Sequence, residues 1–158
     1  MAKIEEFLKE KTAEISQRMG LPSEVSVDPS PEGQLLVNIT PESEEDKPLM
    51  IGFHGQTLNA LQSILRTLAY REFEEVPPIL VESGGYRQER EEELRRRALE
   101  AADKARFLLK EVSFPAMSSY ERRVIHTIIQ DEKGVRTESR GEGRERHVVV
   151  VPEGTGSK

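Results

Sequence analysis

The sequence has no cysteine among its 158 residues. It therefore has no disulfide, no thiolate nucleophile and no cysteine zinc site, which fits a reducing compartment. No apolar run approaches the roughly 20 residues that a membrane span needs, and the N-terminus lacks the apolar core of a signal peptide. We therefore expect a cytoplasmic protein without a membrane span. With 35% hydrophobic and 33% charged residues, the chain suits one ordinary domain or two small ones.

Signatures of catalysis and of metal binding are also missing. His54, His126 and His147 do not have the spacing of metal ligands, and the sequence has no nucleophile elbow. Its Gly-x-x-Gly motif lacks the Lys-Ser/Thr ending of an NTPase phosphate loop. The acidic segment 42–46 is interpreted as a solvated loop. We therefore expect a protein that is not an enzyme and that has no metal or other cofactor.

Charge is distributed unevenly along the chain. The formal net charge of −6 argues at first sight against a nucleic-acid partner. However, residues 1–83 contain 7 basic and 15 acidic residues, a net charge of −8, whereas residues 84–158 contain 16 basic and 14 acidic residues, a net charge of +2. Affinity for nucleic acid depends on local basic surface rather than on the total. The C-terminal half is therefore the better candidate for contact with phosphate.

The first half has the pattern of a small mixed domain. Apolar residues from Ile4 to Met19 recur at helical spacing, and Gly20-Leu21-Pro22 ends that helix. The predicted order is helix, strand, strand, short helix, Gly-x-x-Gly, helix, strand, which is the topology of a type II KH domain. The later segments are 24–28 and 34–40 for the hairpin strands, 47–51 for the short helix, 58–74 for the long helix and 79–82 for the last strand.

The second half is predicted to contain two helices and a three-stranded sheet. A helix over about 88–110 has Glu/Arg pairs at i, i+4 on its outer side, and 112–114 is a short strand. After the second helix, 135–140 and 146–151 form a hairpin. The four consecutive valines at 148–151 indicate a strand buried on both faces. Residues 153–158 are predicted to be a disordered tail.

The helix that follows Ser118 has two unlike faces. Ser118, followed three residues later by Glu121, has the spacing of a capping box, which satisfies backbone donors of the first turn. Arg122 and His126 lie one turn apart on the polar face, with Arg123 beside them. A planar guanidinium can fork onto a phosphate or stack on a base, so this face is the strongest candidate for nucleic-acid binding. The apolar face is predicted to consist of Tyr120, Val124, Ile125, Ile128 and Ile129.

A second candidate site is the loop Gly52-Phe53-His54-Gly55. Glycines let a ligand backbone come close, and the amides and dipole at the start of the next helix favour an anion. The motif is weak by itself, because two glycines three residues apart also form ordinary tight turns. Phe53 is expected either to stack on a base or to pack inward. His54 is expected either to contact RNA or to be a solvated loop residue.

Several stretches resemble the Jag/KhpB (SpoIIIJ-associated) family. Arg122-Arg123-Val124-Ile125-His126 matches the Arg-x-x-x-His signature of the R-3-H domain, a small module that binds single-stranded nucleic acid. The match continues through Gln130-Asp131, the segment from Gly134 to Gly143 and the strand from His147 to Val151. In the first half, Ile51 to Gln62 and Gly85-Tyr86-Arg87 also look like sequences of this family. The resemblance thus covers nearly the whole chain.

The resemblance implies a fold, a ligand and a role. The expected fold class is α+β, with a type II KH-like domain over 1–83 and a small α/β R-3-H domain over 84–152. The implied function is non-catalytic binding of single-stranded RNA, with single-stranded DNA as an alternative ligand. In KH domains the Gly-x-x-Gly loop clamps about four nucleotides. The resemblance further implies post-transcriptional regulation linked to envelope growth and division, and a smaller KH-domain protein as partner, with self-association as the alternative.

This sequence departs from the family pattern in two places. Family members usually place Lys or Arg inside the Gly-x-x-Gly loop, where this sequence has Phe53 and His54. Many members also carry a further N-terminal domain and a basic linker, which are not present in this sequence. Because the loop has no cation and the first half is acidic, an alternative function is a protein-interaction adaptor, in which RNA binding is incidental.

The candidate residues of the second half also have structural interpretations. Arg122 could pair with a neighbouring carboxylate, and His126 could pack on the sheet. Arg140, Arg144 and Arg146 are candidates for widening the basic surface, although exposed arginines are most often only solvated. The contacts of these side chains therefore decide which interpretation the fold favours.

Overall fold

The computed structural model describes residues 2–154, which form two compact units, one up to Arg87 and one from Gln88 onward. Each unit has its own three-stranded sheet and its own hydrophobic core, so the fold class is α+β. In chain order the elements are α1 (Ala2–Arg18), β1 (Ser23–Pro29), β2 (Leu35–Pro41), α2 (Lys47–Ile51), α3 (Gln56–Glu72), β3 (Ile79–Glu82), α4 (Tyr86–Leu108), β4 (Val112–Ser113), α5 (Ser119–Gln130), β5 (Val135–Arg140) and β6 (His147–Pro152).

The first sheet is mixed and has the strand order β1-β2-β3. β1 and β2 form the predicted antiparallel hairpin, and β3 lies parallel to β2. A parallel partner requires a crossover connection, which α2 and α3 supply. Leu8 of α1 and Leu65 of α3 are fully buried with Val37 of β2 in one core, and burying each such side chain contributes about 1.5–3 kcal/mol. The Ser83 hydroxyl donates to the Ile39 carbonyl at 2.8 Å, which fastens the end of β3 to β2.

The buried stripe of α1 contains polar residues that apolar periodicity misses. Ile4, Leu8, Thr12 and Ser16 are all buried and lie four residues apart. The Thr12 hydroxyl donates to the Leu8 carbonyl at 2.6 Å, and the Ser16 hydroxyl donates to the Ala13 carbonyl at 3.0 Å. Since each hydroxyl is satisfied within the helix, its burial costs little.

The second sheet is antiparallel and has the strand order β4-β6-β5. α4 presents a face of buried small residues to the core of this unit, and α5 contributes Ile125 and Ile129. Val148, Val149, Val150 and Val151 are all buried, so the prediction that the last strand is buried on both faces is confirmed. The small residues of α4 are Ala98, Ala101, Ala102 and Ala105.

The predicted elements are present, with shifts of a few residues at their ends. α4 stops at Leu108, earlier than predicted, because Leu109 adopts a left-handed conformation with φ of 52°, which ends the helix. Glu153 and Gly154 form a turn after β6, and the rest of the predicted disordered tail lies outside the described residues. None of the described helices is both long and apolar enough to cross a bilayer.

Candidate nucleic-acid interface

The start of α5 is fixed by a cap and by a buried ion pair. The Glu121 N–H donates to the Ser118 hydroxyl at 3.2 Å, which is one half of the predicted capping box. The Glu121 carboxylate, only 3% exposed, accepts from the Arg90 guanidinium of α4, with 2.7 Å between Nε and Oε1. These contacts set the position and rotation of the helix that carries Arg122 and His126.

The buried side of α5 differs from the predicted apolar face at one end. Ile125 and Ile129 are buried, and Glu121 precedes them at the same spacing. Tyr120, which was predicted to belong to the apolar face, is 58% exposed. The buried ion pair of Glu121 therefore occupies the position in the stripe where an apolar residue was expected.

The His126 ring is held between α5 and β5. Nδ1 is hydrogen-bonded to the Thr137 hydroxyl, and Nε2 is hydrogen-bonded to the Ser139 hydroxyl at 2.9 Å. Partial burial and the positive charges of Arg122 and Arg146 lower the pKa of His126 below its usual value. A neutral ring suits this position, because one nitrogen then donates and the other accepts. The imidazole is thus a neutral link between the helix and the sheet.

Arg122 is half-buried one turn before His126. Its Nε is enclosed and has no hydrogen-bond partner among the described residues. An enclosed donor without a partner costs free energy, and a charged donor is satisfied best by an anionic acceptor. Arg122 therefore does not form the alternative contact considered for it, a bond from Nε to a neighbouring carboxylate. Its Nε lacks a partner in the described fold, and a ligand reaches it only when the half-buried side chain turns outward.

Arg146 contributes positive charge near His126, while Arg123 and Arg144 are exposed. Arg146 donates to the Gly141 carbonyl at 2.8 Å, and a neutral acceptor leaves its charge uncompensated. Arg123 lies on α5, and Arg144 lies in the short turn Gly143–Glu145. The accessible positive charge of this region therefore comes from Arg122, Arg123, Arg144 and Arg146.

Arg140 lies on the other face of the second sheet. Thr137 and Ser139 face His126, and side chains alternate along a strand, so Arg136, Glu138 and Arg140 face the opposite way. The Arg140 guanidinium donates to Glu111 at 2.7 and 2.9 Å and to Glu138 at 2.8 Å.

The ion pairs of this outer face neutralise much of its positive charge. Glu111 and Glu138 raise the pKa of Arg140, and the arginines lower the pKa of both carboxyls. Arg136 also pairs with Glu138. Arg140 is therefore not brought together with Arg122 and His126, and its charge is compensated locally.

The Gly-x-x-Gly loop joins α2 to α3 and requires both of its glycines. Gly52 has φ of 74° and Gly55 has φ of 78°, values that residues with a Cβ rarely adopt. A Cβ on Gly52 would collide with Thr57, and a Cβ on Gly55 would lie 2.9 Å from the Tyr86 ring. Gly55 caps α3 without a side chain to accept from the first amides. The Gln56 N–H donates to the Phe53 carbonyl, and the next amides of the first turn face a helix start that favours an anion.

The two central residues of the loop form an aromatic stack. The Phe53 and His54 rings are 3.9 Å apart between centroids and 22° from parallel. Phe53 is 68% exposed, so it does not pack inward, the second alternative considered for it. His54 has a left-handed backbone with φ of 50°. The loop thus presents an aromatic surface rather than a cation.

Two residues without a predicted role support the loop. Tyr86 packs against Gly55. Arg87 binds the Val81 carbonyl through Nε at 2.8 Å and the Asn59 side chain at 3.0 Å, which ties the start of α4 to β3 and α3. Their position in the family-like Gly85-Tyr86-Arg87 segment was the only signal in the sequence. Elsewhere among residues 2–154, no group of three or more His, Asp or Glu side chains is arranged to hold a metal ion.

An antiparallel three-stranded sheet that supports a helix with Arg and His one turn apart is the arrangement expected of an R-3-H domain. The family model of the R-3-H domain matches residues 92–152, which include all of α5, β4, β5 and β6. The second unit is therefore an R-3-H domain.

The chain belongs to the KhpB (Jag) family. The RNA-binding protein KhpB of Clostridium symbiosum is 31% identical over 154 residues, covering 94% of this chain and 68% of that protein. The RNA-binding protein KhpB of Bacillus subtilis (strain 168) is 33% identical over 108 residues, covering 67% of this chain and 52% of that protein. The protein of the same name in Streptococcus pneumoniae (strain ATCC BAA-255 / R6) is 31% identical over 104 residues, covering 66% of this chain and 32% of that protein. The chain thus spans about two thirds of the first relative, half of the second and a third of the last.

Proposed function

We propose that this protein binds single-stranded RNA without catalysing a reaction, and that Arg122 is its main phosphate contact. The observation that carries the proposal is the enclosed Arg122 Nε, a charged donor without a protein partner. A phosphate oxygen would satisfy it once the half-buried side chain turns towards the ligand. The relatives are named RNA-binding protein KhpB, which supports the choice of RNA as ligand.

In this proposal the residues around Arg122 have different roles. Arg146, Arg123 and Arg144 add positive charge along the path of the RNA strand. His126 holds α5 against β5 and keeps Arg122 in place, because both of its ring nitrogens are already bonded to hydroxyls. Arg140 contributes little, since two carboxylates bind its guanidinium.

We further propose that the first unit is a KH-like domain of type II, with domain limits of 1–83 and 84–152. The mixed sheet and the Gly52–Gly55 loop at the start of α3 support this assignment. The loop would hold the RNA backbone at the N-terminal end of α3, and Phe53 would stack on a base. The family resemblance also suggests post-transcriptional regulation linked to envelope growth and division, cytoplasmic location and a smaller KH-domain partner.

The test is fluorescence anisotropy of a labelled single-stranded RNA pool at several salt concentrations. Arg122→Ala is expected to weaken binding about 10- to 100-fold, because a charged hydrogen bond contributes roughly 1.5–3 kcal/mol. The slope of log affinity against log salt should become shallower by about 0.7, the value for one phosphate on a single strand.

Arg96→Ala is the matched control. Arg96 lies on α4 of the same unit and pairs with Glu100 at the surface, so this change removes the same charge on a different helix from the proposed contact. Binding should be preserved in this variant. Equal affinity of wild type and Arg122→Ala, with both proteins folded, would show that Arg122 is not the contact.

A second candidate function is a protein-interaction adaptor built on the first unit. Leu49 and Phe53 are 62% and 68% exposed beside a loop without a cation, and this half has a net charge of −8. An adaptor would bind RNA weakly or not at all, with little dependence on salt. The same titration therefore distinguishes the two functions.

A further inference from the structure

The second unit has an open groove next to His126. It lies between the C-terminal half of α5 and β5, and its volume is about 420 Å³. β5 is an edge strand of the described sheet, so the groove is open along the outer side of that strand. On the inner side the hydrogen bonds of His126 to β5 close the space between helix and sheet.

The groove has an apolar floor and a polar rim. Ile129 and Val135 lie at the floor and are almost fully buried. Gln130 of α5, Arg136 of β5 and Glu153 lie along the rim, and all three are exposed. The Glu153 N–H donates to the Gly134 carbonyl at 2.9 Å, which fixes its backbone beside the start of β5.

The charges of the rim favour a nucleobase over a phosphate. The Glu153 carboxylate would repel a phosphate, and the Arg136 charge is already shared with Glu138. An unstacked base is flat and neutral, and its edge needs donors and acceptors together. The Gln130 amide offers both, and Glu153 offers acceptors.

The position of the groove also fits a strand that is bound at Arg122. Gln130 lies eight residues after Arg122 on the same helix, about 12 Å along its axis. Each nucleotide of a stacked strand advances about 3.4 Å along the axis, so a strand bound at Arg122 reaches Gln130 within a few nucleotides.

We propose that this groove is a base-binding pocket that prefers a base with an exocyclic amino group to uracil, with Glu153 and Gln130 as the residues that determine specificity. Glu153 accepts a hydrogen bond from the amino group, as carboxylates do from cytosine N4. Uracil presents an oxygen at that position, which the carboxylate repels. The proposal rests on the RNA binding proposed above and deepens it by naming the bases that the site selects.

The test compares labelled 12-nucleotide oligocytidine and oligouridine by fluorescence anisotropy at one low salt concentration. Cytosine and uracil have the same ring size and differ at the exocyclic group that the proposal invokes. The wild-type protein is expected to bind oligocytidine several-fold to about 100-fold more tightly, the range for one specific base contact. In Glu153→Ala and in Gln130→Ala this ratio should fall towards one.

Glu142→Ala is the matched control for Glu153→Ala. Glu142 is an exposed carboxylate of the same unit that does not line the groove, so its removal changes the net charge equally. The ratio should stay at the wild-type value in this control, which should bind both oligonucleotides slightly better because a negative charge is lost.

Two results would overturn the proposal. One is equal binding of the two oligonucleotides by the wild type, and the other is an unchanged ratio in both groove variants. If Arg122→Ala still weakens binding in that case, the proposed function stands and only the base pocket is wrong. If the wild-type protein binds neither oligonucleotide nor the RNA pool, both proposals are wrong.

Discussion

The Arg90 guanidinium and the Glu121 carboxylate form an almost enclosed ion pair that joins α4 to the first turn of α5. Arg90 is 11% exposed and Glu121 4% exposed in their side chains. Two of the guanidinium nitrogens donate to the two carboxylate oxygens. Because Arg122 follows Glu121 directly, this pair fixes the helical turn from which the proposed phosphate contact projects.

Glu121→Ala should lower the free energy of unfolding by about 3 kcal/mol, because the largely enclosed Arg90 loses its two-pronged partner and keeps only Glu93. Glu100→Ala is the control: the Arg96–Glu100 pair is exposed, and its loss should cost less than about 1 kcal/mol. Urea unfolding followed by circular dichroism measures both. Similar small losses in the two variants would mean that the Arg90–Glu121 pair does not organise the unit. The double variant Arg90→Met/Glu121→Leu should recover most of the stability.

Stability should depend on pH through His126. Burial and the charges of Arg122 and Arg146 lower its folded pKa, whereas the unfolded side chain titrates near 6.5. The unfolded state therefore binds more protons between the two pKa values, and stability rises with pH there. The stabilisation is complete above about pH 6.5 and is lost as the pH falls through the folded pKa.

The measurement is the free energy of unfolding between pH 7.5 and 5. Protonation of Glu111 and Glu138 does not contribute in this range, because their lowered pKa values place it at more acidic pH. His126→Gln should flatten the dependence, and His147→Gln should retain it. Should His126→Gln keep the full wild-type slope, another group must be responsible.

Gly55→Ala should destabilise the protein more than Gly33→Ala does. Both glycines have a left-handed backbone, with φ of 78° and 80°, so both substitutions incur a strain of about 1–2 kcal/mol. Only at Gly55 would the new Cβ meet a neighbour, the Tyr86 ring, which adds roughly 1–3 kcal/mol. Thermal unfolding of both variants measures the difference, and a double-mutant cycle with Tyr86→Ala should reduce it. Equal costs at the two positions would contradict the contact.

Phe53→Ala should leave stability unchanged within about 0.5 kcal/mol, since the side chain is mostly exposed. If the loop binds RNA as proposed, affinity should fall by the value of one base stack, about 1–3 kcal/mol. Phe107 gives the control. It is 87% exposed on α4, so Phe107→Ala removes a ring that is even more exposed than Phe53 and lies outside both proposed sites. Anisotropy titrations with the same RNA check this. An effect no larger than that of Phe107→Ala would favour the adaptor function for the first unit.

The sequence predicted the elements well wherever periodicity or glycine determined them. The valines of β6, the hairpins and both ends of the Gly-x-x-Gly loop belong to this group. It failed where a polar residue is buried with a partner distant in the chain. Glu121 was assigned to a local cap, and its pairing with Arg90 depends on how α4 packs against α5. Thr12 and Ser16 were left out of the α1 stripe because apolar periodicity does not count polar residues. They can be buried because each hydroxyl donates to a carbonyl of the same helix.

The candidate site was predicted at the level of one helix. The Arg-x-x-x-His spacing located Arg122 and His126, but it contains no information about Thr137 and Ser139, which bind the imidazole from another strand. Arg140 faces away from His126 because side chains alternate along β5, which is paired with β6 in a fixed register. This orientation can be predicted only once it is known which face of the sheet packs against α5. Unpaired donors such as the Arg122 Nε are likewise visible only once the packing is known.

The ion pairs of Arg136, Glu138 and Arg140 have a consequence for aggregation. They lie on β5, one of the two edge strands of the described sheet, and neighbour Val149 and Val151 of β6 on the outer face. An edge strand offers unpaired backbone groups to any other extended chain, and charged side chains along it oppose such pairing. An incoming strand would have to displace these ordered charges. The arginines that contribute least to the proposed RNA site thus help to keep one molecule from adding to the sheet of the next.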